Sequence, residues 1–360
     1  MRDDAVGNKA GRGALFILSH ASATAIAERP PFAIRVAFRA NLFHQSLVPD
    51  NLASKMTPEE IQAPGWFKRA VSMPRESRSI TVEGCPIHYL RWGDISKPGL
   101  LLVHGSGAHA HWWDFIAPYF TDHNCVAALD LSGMGDSGYR QSYSSELFAR
   151  EISSVCDDAG FKQDTIIVGH SFGGFVTLKT GLIYGEKLKG VVLVDAPVRP
   201  PDYEWERDPK YSPIQPKKIY PDLQTALSRF RLVPAQPCEH KFIMDYLARH
   251  SLAQVEGGWS WKFDDALFKS FRMGQTSEDL SNLACRVGVI YGENSQLFSQ
   301  DIVDYMFKVL DRSVPFVAIP EANHHLFLDQ PLAFISALRA VLAEWRHSKP
   351  QRDRTRVSHD

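Results

Sequence analysis

The sequence has few of the features that mark specialised classes of protein. None of its apolar runs reaches the roughly 18 residues needed to span a bilayer, so we expect no integral membrane segment. Its 40 Lys and Arg residues are balanced by 41 Asp and Glu residues, giving a formal net charge of -1. Because nucleic-acid-binding proteins usually carry a strong basic excess, this balance argues against a nucleic-acid partner. The 360 residues can bury a sizeable core.

Cysteine is also scarce. The five cysteines form no Cys-x-x-Cys pair, and their odd number predicts neither a disulfide framework nor a zinc site. Such usage fits a reducing compartment, so we expect a cytoplasmic protein. The sequence does not indicate an oligomeric state.

The two ends of the chain differ from its middle. Residues 1–55 are rich in alanine and have no sustained helix or strand period, which predicts an extension that is disordered or absent from the mature protein. A targeting segment is a weaker alternative, because the apolar stretch 14–18 is short. Thr57 and Glu60 match a helix capping box after Met56, which favours Met56 as the start of the core. The polar tail 347–360 is predicted to be disordered.

Short β-branched runs alternate with longer helical patterns from residue 79 onward, which is typical of an α/β protein. The pattern predicts an eight-stranded, mostly parallel sheet covered by helices on both faces. The predicted strands are 79–83, 87–92, 100–103, 126–130, 165–168, 191–194, 287–291 and 314–319. The helices between and after them are predicted at 111–121, 144–159, 172–184, 299–311 and 330–346.

Residues 197–276 interrupt this alternation. They contain no clear strand but show helical patterns at 222–231, 239–253 and 264–272. A segment of this length is too long for a simple loop, so we predict a helical subdomain inserted between the core segments 56–196 and 277–346.

The strongest chemical signal is Gly169-His170-Ser171-Phe172-Gly173-Gly174, which follows the fifth predicted strand and precedes a helix. A G-x-S-x-G motif in that context forms a tight turn that exposes the serine hydroxyl, so Ser171 is the predicted nucleophile. A serine hydroxyl needs a base within hydrogen-bond reach. His324, in the loop after the last strand, is the predicted base, with His325 as its competitor.

A serine nucleophile attacking a carbonyl also needs backbone donors for the oxyanion that forms. His104-Gly105-Ser106-Gly107 follows the third predicted strand. We therefore expect the amide of Ser106 or Gly107 to act together with the amide of Phe172.

Histidines 104, 109 and 111 invite a metal interpretation. We expect no metal and no cofactor, because no acidic ligand pattern accompanies these histidines and a serine mechanism needs no metal.

With these motifs, residues 75–346 resemble the α/β-hydrolase fold superfamily. The segment Asp130-Leu131-Ser132-Gly133-Met134-Gly135-Asp136-Ser137 is similar to the D-x-x-G-x-G-x-S turn of that superfamily, and the inserted helical segment is similar to the cap of its capped members. The resemblance implies a serine-nucleophile hydrolase or esterase with a catalytic triad, a nucleophile elbow and a cap domain.

One position departs from this family pattern. Most relatives carry the triad acid in a G-x-x-D pattern after the seventh strand, where this chain has Gly292-Glu293-Asn294-Ser295. A hydroxyl cannot stabilise an imidazolium as a carboxylate does. Some relatives supply the acid at the end of the sixth strand, so we choose Asp195 and keep Glu293 as the alternative.

The sequence predicts a hydrolase of carboxylic esters acting on an apolar small molecule. A serine at the nucleophile position argues against the aspartate-dependent haloalkane dehalogenases and epoxide hydrolases. Two alternatives stay open: a carbon-carbon bond hydrolase of aromatic ring-cleavage products, and a non-catalytic ligand receptor on the same fold. The predicted substrate-binding residues are Trp112, Trp113, Trp259 and Trp261, although such aromatics equally serve to bury a cap on its core.

Overall fold

A computed structural model gives the architecture of the chain. The structure describes residues 33–35, 62–162, 164–201, 203, 217–267, 271, 274–310 and 314–348. The predicted capping box at Thr57 and most of the polar tail lie outside these residues. Within the described part, no helix combines the length and the apolar character needed to cross a membrane.

A nine-stranded sheet forms the centre of the fold. Its strands, in chain order, are β1 (Ala33–Arg35), β2 (Glu76–Val82), β3 (Cys85–Trp92), β4 (Gly99–Val103), β5 (Cys125–Leu129), β6 (Thr165–His170), β7 (Leu188–Val194), β10 (Arg286–Gly292) and β11 (Phe316–Ile319). Across the sheet the order is β1-β11-β10-β7-β6-β4-β5-β3-β2. All neighbours are parallel except β2 with β3 and β3 with β5.

The helices cover both faces of this sheet. Those described are α1 (Gly65–Val71), α2 (Ser145–Asp158), α3 (Phe172–Tyr184), α4 (Leu223–Leu227), α5 (Lys241–His250), α6 (Thr276–Ser281), α7 (Gln300–Val309), α8 (Leu326–Asp329) and α9 (Pro331–His347). Local chemistry sets several boundaries: the Ser144 hydroxyl accepts a hydrogen bond from the Leu147 amide and starts α2. The predicted helix 111–121 is instead two 3-10 turns, Ala110–Trp113 and Ala117–Phe120.

Burial explains why the strands could be predicted. All residues of β4, β5 and β6 are buried, as expected for parallel strands covered on both faces. Two apolar clusters, one on each side of the sheet, make up the core: Leu100 and Trp345 belong to the first, and Leu101 and Phe148 to the second. Successive side chains of β4 therefore point into opposite layers.

All eight predicted strands are confirmed, and β1 is an addition. Its three residues pair in parallel with Phe316, Val317 and Ala318 of β11, at one edge of the sheet. The N-terminal extension predicted from 1–55 thus contributes a short edge strand, which no periodicity in the sequence indicated. The other residues of that extension lie outside the described part.

The inserted segment is not purely helical, and the prediction that it lacks strands is wrong. Besides α4 and α5 it contains an antiparallel hairpin of β8 (Leu252–Val255) and β9 (Gly258–Trp261). The turn uses Gly257 at φ +84°, a left-handed conformation that favours glycine. In the sequence, two adjacent glycines before the alternating run Trp259-Ser260-Trp261 are a signal for such a hairpin. We call residues 197–276 the cap.

Candidate active site

The sharp turn between β6 and α3 carries Ser171. This residue has φ 53° and ψ -120°, a strained left-handed backbone in which the amide is held by the Val194 carbonyl at 2.9 Å. Such strain at a strand-to-helix junction is the geometry that a nucleophile elbow requires.

The glycines around Ser171 are required by close packing. A Cβ on Gly169 would lie 2.3 Å from the Gly173 carbonyl oxygen, and one on Gly173 would lie 2.2 Å from the His104 carbonyl oxygen. Real Cβ atoms do not approach oxygen so closely. The motif Gly-x-Ser-x-Gly therefore follows from the backbone contacts that hold the elbow between β4 and β6.

The structure brings the three predicted catalytic residues together from three separate loops. The Ser171 hydroxyl oxygen lies 2.9 Å from His324 Nε2, and His324 Nδ1 lies 2.8 Å from Asp195 Oδ1. His324 follows β11 and Asp195 follows β7, so all three side chains meet at the carboxyl edge of the parallel strands. His324 is 3% exposed and Asp195 fully buried, which shields the chain of hydrogen bonds from water.

The Asp195 carboxylate is held by three donors. Besides His324 Nδ1, Oδ1 accepts a hydrogen bond from the Ser295 hydroxyl at 2.7 Å, and Oδ2 accepts one from the Gly292 amide at 2.8 Å. Ser295 thus occupies the position where the family pattern has the acid, and its hydroxyl binds the carboxylate of Asp195, the predicted acid after β7. The sequence shows that Ser295 stands where the family pattern has a carboxylate, but it does not indicate the hydrogen bond from Ser295 to Asp195.

Glu293, the alternative acid, lies elsewhere. Its side chain is exposed, and Oε2 accepts a hydrogen bond from the Glu321 amide at 3.4 Å. The geometry at His324 therefore favours Asp195 over Glu293.

Two further histidines surround His324. His170 Nε2 donates to the His324 carbonyl at 3.0 Å and so fixes the backbone of the predicted base. Burial lowers the pKa of His170 and of His325 well below the usual range, and the proximity of His324 adds to both shifts. Both side chains are therefore neutral near pH 7. The ring of the competitor His325 makes no hydrogen bond to Ser171 or Asp195 within the described residues. The backbone of Val233 and Pro234 lies beside it instead.

The loop after β4 lies against the elbow. His104 Nδ1 donates to the Gly105 carbonyl, and His104 Nε2 accepts from the Leu131 amide. The amide of Gly107 donates to Met134 Sδ at 3.2 Å. Of the two residues predicted to act with the Phe172 amide, Gly107 already uses its amide in this contact, and Ser106 stays the predicted donor.

The turn after β5 anchors this loop. Asp130 Oδ1 accepts from the Ala110 amide at 2.6 Å, and Oδ2 accepts from the Asp136 amide and from His88 Nδ1, each at 2.8 Å. Although burial alone would raise the pKa of Asp130, the hydrogen bond and charge of His88 lower it well below the usual range. The Asp130 carboxylate thus ties the D-x-x-G turn to the segment that follows the predicted oxyanion loop.

Comparison with known proteins assigns the family. Residues 100–337 match the model of the alpha/beta hydrolase family, a span that contains the elbow, His324 and Asp195. This chain is an alpha/beta hydrolase.

Individual relatives are more distant. Esterase Rv0045c of Mycobacterium tuberculosis is 23% identical over 267 residues, a match that covers 72% of this chain and 88% of the relative. Human epoxide hydrolase 4 is 27% identical over 117 residues, covering 32% of each chain. Among solved structures, the thioesterase domain from the curacin biosynthetic pathway has 24% identity and a TM-score of 0.61, covering 74% of this chain and 99% of that domain. This last similarity concerns the fold alone.

In this alpha/beta hydrolase the cap contacts the histidine loop through Gln236, a residue that sequence reasoning missed. Gln236 Oε1 accepts from the His325 amide at 2.8 Å, and Nε2 donates to Asp329 at 2.9 Å. Asp329 in turn accepts from the Asn323 amide at 2.8 Å. The cap thereby fixes the backbone on both sides of His324. The hydrogen bond between Gln236 and the His325 amide joins residues 89 positions apart along the chain.

The four predicted substrate-binding tryptophans occupy different environments. Trp113 is fully buried, and its ring lies 4.7 Å from Phe327, so the expectation that it binds substrate is wrong and it belongs to the core. Trp112 is 6% exposed beside His325. Trp259 and Trp261 are half-buried within the cap, where Trp261 contacts Phe230 at a ring distance of 6.0 Å.

The expectation that no acidic ligand pattern accompanies the histidines near the oxyanion loop is wrong for His111. Its Nδ1 lies 2.7 Å from Oδ2 of the fully buried Asp114. His104, in contrast, has both ring nitrogens occupied by backbone groups.

Proposed function

We propose that this alpha/beta hydrolase is a serine hydrolase that cleaves carboxylic esters of apolar substrates through an acyl-enzyme. The continuous chain of hydrogen bonds from Ser171 through His324 to Asp195 is the observation that carries the proposal. The esterase relative, which aligns over most of both chains, supports the same class of reaction.

The proposed reaction uses the three side chains in turn. His324 Nε2 takes the proton of the Ser171 hydroxyl as the oxygen attacks the ester carbonyl, and Asp195 stabilises the imidazolium that forms. The amides of Ser106 and Phe172 stabilise the oxyanion. His324 then returns its proton to the departing alcohol, leaving Ser171 acylated. Water, deprotonated by His324, releases the acid and restores the serine.

Ester cleavage is tested with a graded panel. We expect the purified full-length chain to hydrolyse p-nitrophenyl esters, because p-nitrophenolate is a good leaving group and the activation free energy of acylation is therefore low. The rates are compared with those on a ring-cleavage dienone and an epoxide. Turnover of the dienone without turnover of any ester would replace the proposal with carbon-carbon bond hydrolysis, and turnover of neither class by folded protein would favour the receptor alternative.

The cap is predicted to set the substrate preference. We expect Trp259→Ala and Trp261→Ala to change the ratio of kcat/KM between short and long acyl chains by roughly 10-fold, the lower end of the effect of one methylene in an apolar pocket. The buried core residue Trp113 provides the contrast: Trp113→Phe should lower the Tm and leave the chain-length ranking unchanged. If Trp259→Ala and Trp261→Ala instead lower only the Tm, these side chains are structural.

A further inference from the structure

A second cluster of titratable side chains lies where the cap meets the core. His111 belongs to the 3-10 turn Ala110–Trp113, Asp114 follows that turn, and His250 ends α5 of the cap. We call these three residues the junction cluster. Each offers one atom able to bind a metal, and the three atoms lie within 4.8 Å of one another. The rings of His111 and His250 have centroids 4.3 Å apart.

A hydrogen bond fixes the tautomer of His250. Its Nδ1 lies 2.9 Å from the Tyr246 carbonyl oxygen, which only accepts, so Nδ1 carries the proton and Nε2 has a lone pair. A histidine that binds metal almost always donates its other N–H to a carbonyl or carboxylate, as His250 does. His111 Nδ1 lies 2.7 Å from Asp114 Oδ2, so these two atoms are close enough to bind one ion, which would replace the proton between them.

The cluster also contains buried atoms without partners. Asp114 Oδ2 accepts from Tyr246 at 2.5 Å and from His111, and Arg75 lies 3.2 Å away, but Oδ1 is buried and has no hydrogen-bond partner among the described residues. The neighbouring His109 also has a buried Nδ1 without a hydrogen-bond partner among the described residues. Its Nε2 forms a hydrogen bond with the Ser251 hydroxyl. Buried acceptors left unpaired are costly, and a cation would relieve that cost.

The two imidazoles and the nearby charge of Arg75 determine which ions the cluster suits. Arg75 shares the carboxylate and weakens its attraction for a cation. The cluster therefore suits ions that prefer imidazole, such as Zn²⁺, Co²⁺, Ni²⁺ and Cu²⁺, over Mg²⁺ or Ca²⁺, which prefer oxygen ligands.

We propose that the junction cluster binds a divalent transition-metal ion and thereby links the cap to the core. His111 and Asp114 contribute the core side, and His250 contributes the cap side. The cluster is separate from the Ser171 site, so the proposal does not depend on ester hydrolysis.

Calorimetric titration of the chelator-treated, full-length protein with Zn²⁺ alone tests this site. We expect one equivalent to bind at roughly 100 μM metal or less and to raise the Tm, because a ligand that binds only the folded state stabilises it. Mg²⁺ at the same concentration should do neither. Absence of Zn²⁺ binding, or equal binding of Mg²⁺, would overturn the proposal.

Variants locate the ion. His111→Gln and His250→Gln should each weaken Zn²⁺ binding at least 10-fold, with circular dichroism and the metal-free Tm confirming that they fold. The exposed His347→Gln serves as a matched control and should bind normally. His324→Gln should also bind normally. Loss of binding in His324→Gln with retention in His111→Gln and His250→Gln would move the ion to the cluster of His170, His324 and His325.

Discussion

Ser171→Ala is expected to lower kcat on p-nitrophenyl esters by roughly a million-fold, the effect of removing the serine from a comparable triad. The residual rate would come from substrate binding and the backbone donors near Ser106 and Phe172. A fluorophosphonate probe, which reacts with an activated serine, should label the wild-type chain at Ser171 and should not label the variant. The steady-state rate and the labelled peptide identified by mass spectrometry are the two measurements.

A matched control separates chemistry from folding. Ser153→Ala makes the same change on α2, where Ser153 is half-buried, and should retain both activity and labelling. The strained φ of 53° at Ser171 is unfavourable for alanine as well as serine, so Ser171→Ala should keep a Tm close to that of the wild type. Labelling or full activity that persists in Ser171→Ala would show that another residue is the nucleophile.

The sheet and the elbow were predictable because their signals are local. β4 and β5 are uninterrupted apolar runs, and β6 has an apolar centre. The contacts of Gly169 and Gly173 impose a motif that is visible in six consecutive residues. Similarly, α3 begins and ends where its pattern predicted. His324 and Asp195 could be chosen because parallel strands bring their carboxyl ends to one edge.

The remaining features depend on contacts between distant segments. Gln236 reaches the His325 amide across 89 positions, and nothing in the surrounding sequence distinguishes it from a surface glutamine. The junction cluster likewise joins His250 of the cap to His111 and Asp114 of the core, and this approach of His250 became visible only in the folded chain. Trp113 was misassigned for the related reason that composition does not separate an aromatic residue in the core from one in a pocket.

Asp195 is the predicted triad acid, because Ser295 stands where most relatives carry the acid, and replacing Asp195 should have the second largest effect. Asp195→Asn keeps the shape but places an amide where His324 Nδ1 donates at 2.8 Å. The imidazole then favours the tautomer that carries its proton on Nε2, which cannot accept the proton of Ser171, and kcat should fall by about a thousandfold to ten-thousandfold. Glu293→Gln, at an exposed side chain, should lower kcat less than about 3-fold, within the usual range for a surface substitution.

Measuring both variants on the same ester decides which carboxylate acts. A near-normal Asp195→Asn enzyme beside an impaired Glu293→Gln enzyme would return the acid to the loop after β10. Ser295 allows a further test, because its hydroxyl lies 2.7 Å from Asp195 Oδ1, the oxygen that His324 contacts. Adding Ser295→Asp to Asp195→Asn restores a carboxylate at the position usual in the family, so kcat should recover in part. Ser295→Asn in the same background supplies an amide of similar size without the charge and should recover nothing, because stabilising the imidazolium requires the negative charge.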